Sequence, residues 1–152
     1  MKVLIIGGVA GGATAAARAR RENENADILV IEQGPDVSFA NCGLPYYIGG
    51  EIKTRSALLL QTPQSFWDRY RIKILINTEA LSIDRSSKTV KVRGPEGENH
   101  LLYDKLIISQ GANPIIPTIP GSEAPFVFSL RNLGDMDRIN HYIESENPKS
   151  GN

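Results

Sequence analysis

Val3-Leu4-Ile5-Ile6-Gly7-Gly8-Val9-Ala10-Gly11-Gly12 is the stretch that decides the fold. A short continuous apolar run ending in glycine reads as a strand buried on both faces of a parallel sheet, with a tight turn after it. Residues 11–22 are rich in alanine and arginine, good helix formers, and Ile28-Leu29-Val30-Ile31 is the next apolar run. The three together make a strand-helix-strand unit of about thirty residues.

The loop inside that unit has the spacing of a dinucleotide fingerprint. In that pattern the first glycine makes the turn, the second lets backbone approach a pyrophosphate, and the third lets helix pack on strand. Gly7 and Gly12 take the first and third positions, and Val9 stands at the second. The helix N-terminus offers free N–H groups and a positive dipole end to a diphosphate. Glu32 ends the second strand about twenty residues beyond Gly12, where a carboxylate accepts hydrogen bonds from an adenosine ribose. The competing reading is a glycine-rich turn with a solvated glutamate. A second segment, Leu106-Ile107-Ile108-Ser109-Gln110-Gly111-Ala112, puts a small residue and a glycine directly after a strand, either for close approach to a ligand or as an ordinary strand end.

Outward from the unit, residues 33–41 read as a loop. Thr62-Pro63 supplies a cap and a first-turn proline for a helix through Arg69. Four segments, 72–76, 80–84, 89–92 and 100–103, read as an antiparallel meander over about 72–103, separated by turns at 85–88 and 94–97. Leu106–Ile108 reads as another buried strand. Pro114 to Pro125 cannot lie inside a sheet or helix. Leu133, Met136, Ile139, Tyr142 and Ile143 recur at helix spacing, and residues 147–152 end the chain without another core-forming segment.

Length and charge bound the rest. A chain of 152 residues suits one domain. Seventeen basic and seventeen acidic side chains cancel, so net charge favours neither nucleic acid nor an anionic membrane as partner. No span, signal peptide or metal-ligand cluster is read, and a cytoplasmic setting is expected. The single cysteine, Cys42, fits a reducing compartment. A lone cysteine is most often a small buried hydrophobe. Here Asn41 and Gly43 flank it in a sharp turn, and a helix starting at Leu44 with Pro45 in its first turn would set the thiol at a positive helix end, which favours the thiolate. A thiolate attacks disulfides.

With the loop, the block Ser38-Phe39-Ala40-Asn41-Cys42-Gly43-Leu44-Pro45-Tyr46-Tyr47 and the run Ser129-Leu130-Arg131-Asn132-Leu133, the chain resembles the single-cysteine pyridine nucleotide-disulfide oxidoreductases. Among them it is most similar to coenzyme A-disulfide reductases and coenzyme A-dependent persulfide or polysulfide reductases. The resemblance runs over nearly the entire chain. It implies an α/β fold, a Rossmann-like FAD-binding three-layer domain with a small antiparallel β-meander insertion. It also implies reduction of FAD by NADH or NADPH, with electrons passing to Cys42 and then to a coenzyme A mixed disulfide. By position, Gly7, Val9, Ala10, Gly11, Gly12, Glu32, Ser109, Gly111 and Arg131 match flavin-contacting residues. Thr14, Arg18, Arg21, Ser38 and Asn41 match residues that contact coenzyme A. Arg18 and Arg21, three apart on one helix face, could clamp a phosphate or simply form a solvated basic face.

The pattern departs from the family in three ways. Tyr70, followed by Arg71, stands where coenzyme A-specific members can carry a lysine. Ala10 stands where single-cysteine peroxidases and oxidases carry a histidine, which argues against cycling through a sulfenic acid. A nicotinamide domain and a dimerisation domain are expected after about residue 150 and are absent from these residues. The chain is therefore expected to be the N-terminal FAD-domain segment of a longer, homodimeric enzyme, unable to complete nicotinamide-driven turnover by itself. A non-catalytic nucleotide-binding module is the competing class.

Overall fold

The computed structural model describes residues 1–146, which divide into two compact units: residues 1–39 with 59–111, and residues 40–58 with those from 112 onward. In the first unit, β1 (Lys2–Ile6) leads through the glycine loop into α1 (Ala10–Glu22) and then β2 (Asp27–Ile31). β1 and β2 pair parallel from Lys2 opposite Asp27 to Ile6 opposite Ile31. β7 (Lys105–Ile108) pairs parallel with β1 on its other side, so β1 is central and its apolar run is buried on both faces.

Alternation along β1 sorts its residues between two layers. Val3 and Ile5 join Ala13 and Ala16 of α1, and Phe66 and Ile72, in one core. Leu4 and Ile6 point the other way, onto Val90 and Val92 of a second sheet. The result is helix layer, parallel sheet and antiparallel sheet. The helix layer also holds α3 (Pro63–Tyr70), which starts as expected: the Thr62 hydroxyl accepts from the Ser65 amide and the Ser65 hydroxyl from the Thr62 amide. It ends at Arg71, in the left-handed region at φ 51°.

The antiparallel sheet is β4 (Glu79–Asp84), β5 (Thr89–Gly94) and β6 (Gly97–Leu102), in that order. One expected strand belongs elsewhere. Residues 72–76 contribute β3 (Lys73–Leu75), which pairs parallel with β2 and extends the first sheet to the order β3-β2-β1-β7. Its alternation suits either sheet. What decides is that Ile72, Ile74 and Ile76 fill the core beneath α1 and α3 while Leu75 faces the second sheet, an arrangement made by distant residues. β7 also differs from a fully buried strand: it is the edge of the sheet among the described residues, and Ile108 is 56% exposed.

In the second unit, residues 40–58 form an excursion closed at its base by the Ala40 amide donating to the Leu58 carbonyl at 2.9 Å. A 3-10 turn, Asn41–Gly43, runs into the short α2 (Leu44–Ile48), and a second 3-10 turn covers Arg55–Leu58. Residues 112–132 are irregular, as the prolines require. α4 (Leu133–Glu146) has the expected periodicity, buries Leu133 and Met136, and packs against α2. The expected chain end, residues 147–152, lies outside the described residues.

Candidate functional site

The glycine loop is shaped by what its glycines leave out. Gly7 has φ +94°, and a β-carbon there would overlap the Ser109 carbonyl. One on Gly12 would overlap the Gly7 carbonyl, so α1 can start this close to β1 only because that carbon is missing. Gly11 lies against Ser109 Oγ, which an added β-carbon would meet at 2.5 Å. Val9, the N-cap of α1, has a negative φ of −88°, so the second fingerprint position does not need glycine for a left-handed turn. Among the described residues, no side chain caps α1 and no acid sits in its first turn, where Ala10 is exposed. The first-turn amides and the positive end of the helix dipole are thus free for an anion.

Glu32 is held rather than solvated. Its Oε2 accepts from the Gly8 amide at 2.7 Å and its Oε1 from the Gly34 amide at 2.9 Å, which orients the carboxylate and leaves each oxygen a further lone pair. Ser109 donates its amide to the Ile6 carbonyl, which brings the end of β7 against the loop after β1, and Gly111 takes φ +72°. Ser38, at φ 48°, donates its amide to the Gly8 carbonyl. The uncapped helix start, the Gly11–Ser109 cradle and the oriented Glu32 fit an adenine dinucleotide.

Thr14, Arg18 and Arg21 form one exposed stripe on α1, at i, i+4 and i+7. Arg18 is paired with Glu22 at 2.5 Å. Arg20, which sequence reasoning passed over, is the arginine of α1 with a structural task. Its guanidinium donates to the carbonyls of Tyr70, Glu24 and Arg71 at 2.8, 2.6 and 3.0 Å, tying the end of α1 to the end of α3. Tyr70 is engaged in packing, its ring 6.0 Å from that of Phe66 and 5.2 Å from the Arg69 guanidinium carbon. Exposed Arg71 lies over the Trp67 ring at 5.6 Å.

Cys42, Asn41 and Arg131 belong to the second unit. Cys42 is exposed, unlike the usual lone cysteine. Its turn is tight because Gly43 is buried against Leu58: a β-carbon on Gly43 would meet Leu58 Cδ2 at 2.5 Å. The side-chain oxygen of Asn41 is buried with no hydrogen-bond partner among the described residues. Arg131 donates Nε–H to the Ala112 carbonyl at 2.9 Å. Its amide donates to Oδ2 of Asp135, a buried carboxylate that also accepts from the Asn132 amide and pairs with Arg138. The Asn132 side chain accepts in turn from the Asp135 amide, completing a reciprocal cap. Asn132-x-x-Asp135 has capping-box spacing, a signal present in the sequence and not used.

The sequence profile described as "Pyridine nucleotide-disulphide oxidoreductase" matches residues 1–147. Coenzyme A disulfide reductase from Staphylococcus aureus is 40% identical over 146 residues, 95% of this chain and 33% of that protein. Two solved structures align closely. Reduced Bacillus anthracis CoADR-RHD has a TM-score of 0.93 and 45% identity over 97% of this chain and 27% of that one. An NAD-dependent persulfide reductase from A. fulgidus has a TM-score of 0.90 and 41% identity over 95% of this chain and 27% of that one. The chain thus spans a third or less of these relatives, and it belongs to the pyridine nucleotide-disulphide oxidoreductase family.

Proposed function

We propose that the two units are parts of the FAD-binding segment of a longer NAD(P)H-driven enzyme that reduces coenzyme A disulfide, or a persulfide or polysulfide, through Cys42. The observation that carries this reading is an exposed, unpaired thiol in a chain that also has an uncapped, glycine-cradled helix start beside an oriented glutamate. FAD, when bound, supplies a two-electron carrier between the nicotinamide and sulfur. In this reading the first-turn amides of α1 and the loop Gly7, Val9, Ala10, Gly11 and Gly12 hold the pyrophosphate. Glu32 would accept from ribose hydroxyls, and Ser109, Gly111 and Arg131 would each contact the flavin. The Cys42 thiolate attacks one sulfur of coenzyme A disulfide, forming a mixed disulfide and releasing one coenzyme A thiolate. Thr14, Arg18, Arg21, Ser38 and Asn41 hold the bound coenzyme A, two arginines being suited to its phosphates. The nicotinamide domain and a homodimer interface belong to the longer enzyme, which works in the cytoplasm.

Intact mass after exposure to coenzyme A disulfide tests the reading. The expected result is one coenzyme A increment on Cys42, removed by a thiol reductant and absent from Cys42→Ser, together with flavin absorbance after incubation with FAD. No increment, or an increment kept in Cys42→Ser, would overturn it. Sulfenic acid trapped on Cys42 by peroxide, with no coenzyme A adduct, would favour an oxidase or peroxidase.

A further inference from the structure

We propose that Asp137 of α4 is a positioning residue for the Cys42 turn, acting through Arg55; this rests on the reading of Cys42 as the reactive thiol. The excursion 40–58 carries Cys42 near its start and Arg55 near its end. Arg55 Nε donates to Asp137 Oδ1 at 3.0 Å and Oδ2 at 3.2 Å, and Nη2 donates to Oδ2 at 3.0 Å. A fork of this kind fixes orientation as well as distance, which a single lysine contact would not. Arg55 opens the 3-10 turn that ends at Leu58. Leu58 is fully buried, and its side chain closes on Gly43, the residue after Cys42. A short path of packed groups therefore leads from Asp137 through Arg55 and Leu58 to the backbone that carries the thiol. Asp137 is not needed to start its own helix, because Asn132 and Asp135 already cap α4.

An exposed ion pair is ordinarily worth little; bidentate geometry is the exception. This pair joins the excursion to a helix more than eighty residues away in sequence, so its loss removes a long-range tie on the segment that carries Cys42. The test compares the 152-residue chain with Asp137→Asn and Asp137→Glu by two readouts. One is hydrogen exchange of the Gly43 and Gly49 amides, bonded to Ala40 and Pro45 carbonyls. The other is the rate of Cys42 modification by coenzyme A disulfide and by iodoacetamide. Asp137→Asn is expected to speed the two amides by about fivefold and slow the coenzyme A disulfide reaction by about fivefold. Iodoacetamide needs only an exposed thiolate, so its rate should stay within about twofold. Asp137→Glu, which keeps the charge and the fork, should restore both. Unchanged exchange in Asp137→Asn, or an iodoacetamide rate falling in parallel with the other, would overturn the proposal. A wild-type chain that reacts with coenzyme A disulfide no faster than with 2-hydroxyethyl disulfide would instead remove the coenzyme A reading, and hydrogen exchange alone would then decide whether Asp137 positions the turn.

Discussion

Gly11 and Gly12 are neighbours, yet an added methyl meets different obstacles at each. At Gly12 the obstacle is the Gly7 carbonyl, a backbone atom that moves only if α1 and β1 separate. Gly12→Ala is expected to destabilise the fold by about 3 kcal/mol, read from urea unfolding. At Gly11 the obstacle is Ser109 Oγ, which can rotate away. Gly11→Ala should cost less than about 1 kcal/mol in stability while weakening FAD uptake in a flavin titration, because the methyl intrudes between the helix start and Ser109. The fingerprint glycines were readable from spacing, but what an added side chain would meet at each was not. That depends on the residue facing each one, and Ser109 is close to a hundred positions away.

Helix starts and hairpins separate what local sequence shows from what it hides. Thr62-Pro63 announced α3, whereas the cap of α4 is an Asn132-x-x-Asp135 pair, which departs from the Ser/Thr-x-x-Glu/Gln form of the capping box. Asp135→Ala removes an acceptor for two amides and the partner of Arg138, and it should cost about 1–2 kcal/mol in urea unfolding. In the meander, Glu98 takes hydrogen bonds from Lys91 and Arg93, which together hold its carboxyl below the ordinary value of 4.5. A depressed folded value means that the unfolded chain binds the proton more tightly. The stabilisation is thus fully present well above pH 4.5 and lost as pH falls through the lower folded value. Glu98→Gln should flatten that part of the stability–pH curve in acid and leave the part above pH 6 parallel to wild type.

At the scale of the molecule, several of the most exposed apolar side chains among the described residues fall in one segment. Ile115, Ile116, Ile119, Phe126 and Val127 are 94, 62, 60, 63 and 47% exposed, all in the irregular proline-rich segment. Side chains already in water contribute little to folding, so Ile115→Ser with Phe126→Ser should change stability by no more than about 0.5 kcal/mol. The pair should nonetheless lower the fluorescence of 1-anilinonaphthalene-8-sulfonate bound to the chain, since such a dye reports exposed apolar side chains. Unchanged dye binding would mean that other exposed side chains bind the dye. Among the described residues, no helix is long and apolar enough to cross a membrane, so a spanning helix does not account for these side chains.

The sequence by itself determined the parallel core, the glycine loop between β1 and α1, the start of α3 and the periodicity of α4. Each is written in a window of about thirty residues or fewer, through apolar runs, glycine spacing and capping residues whose partners are near neighbours. Only the tertiary structure decided that residues 73–75 join the parallel sheet, that β7 is its edge among the described residues, that Glu32 is locked by two amides, and that Arg55 pairs with Asp137. Those outcomes depend on which distant surface each segment meets. A strand's alternation says which side chains share a face, and the choice of neighbour is made by the core that those side chains complete.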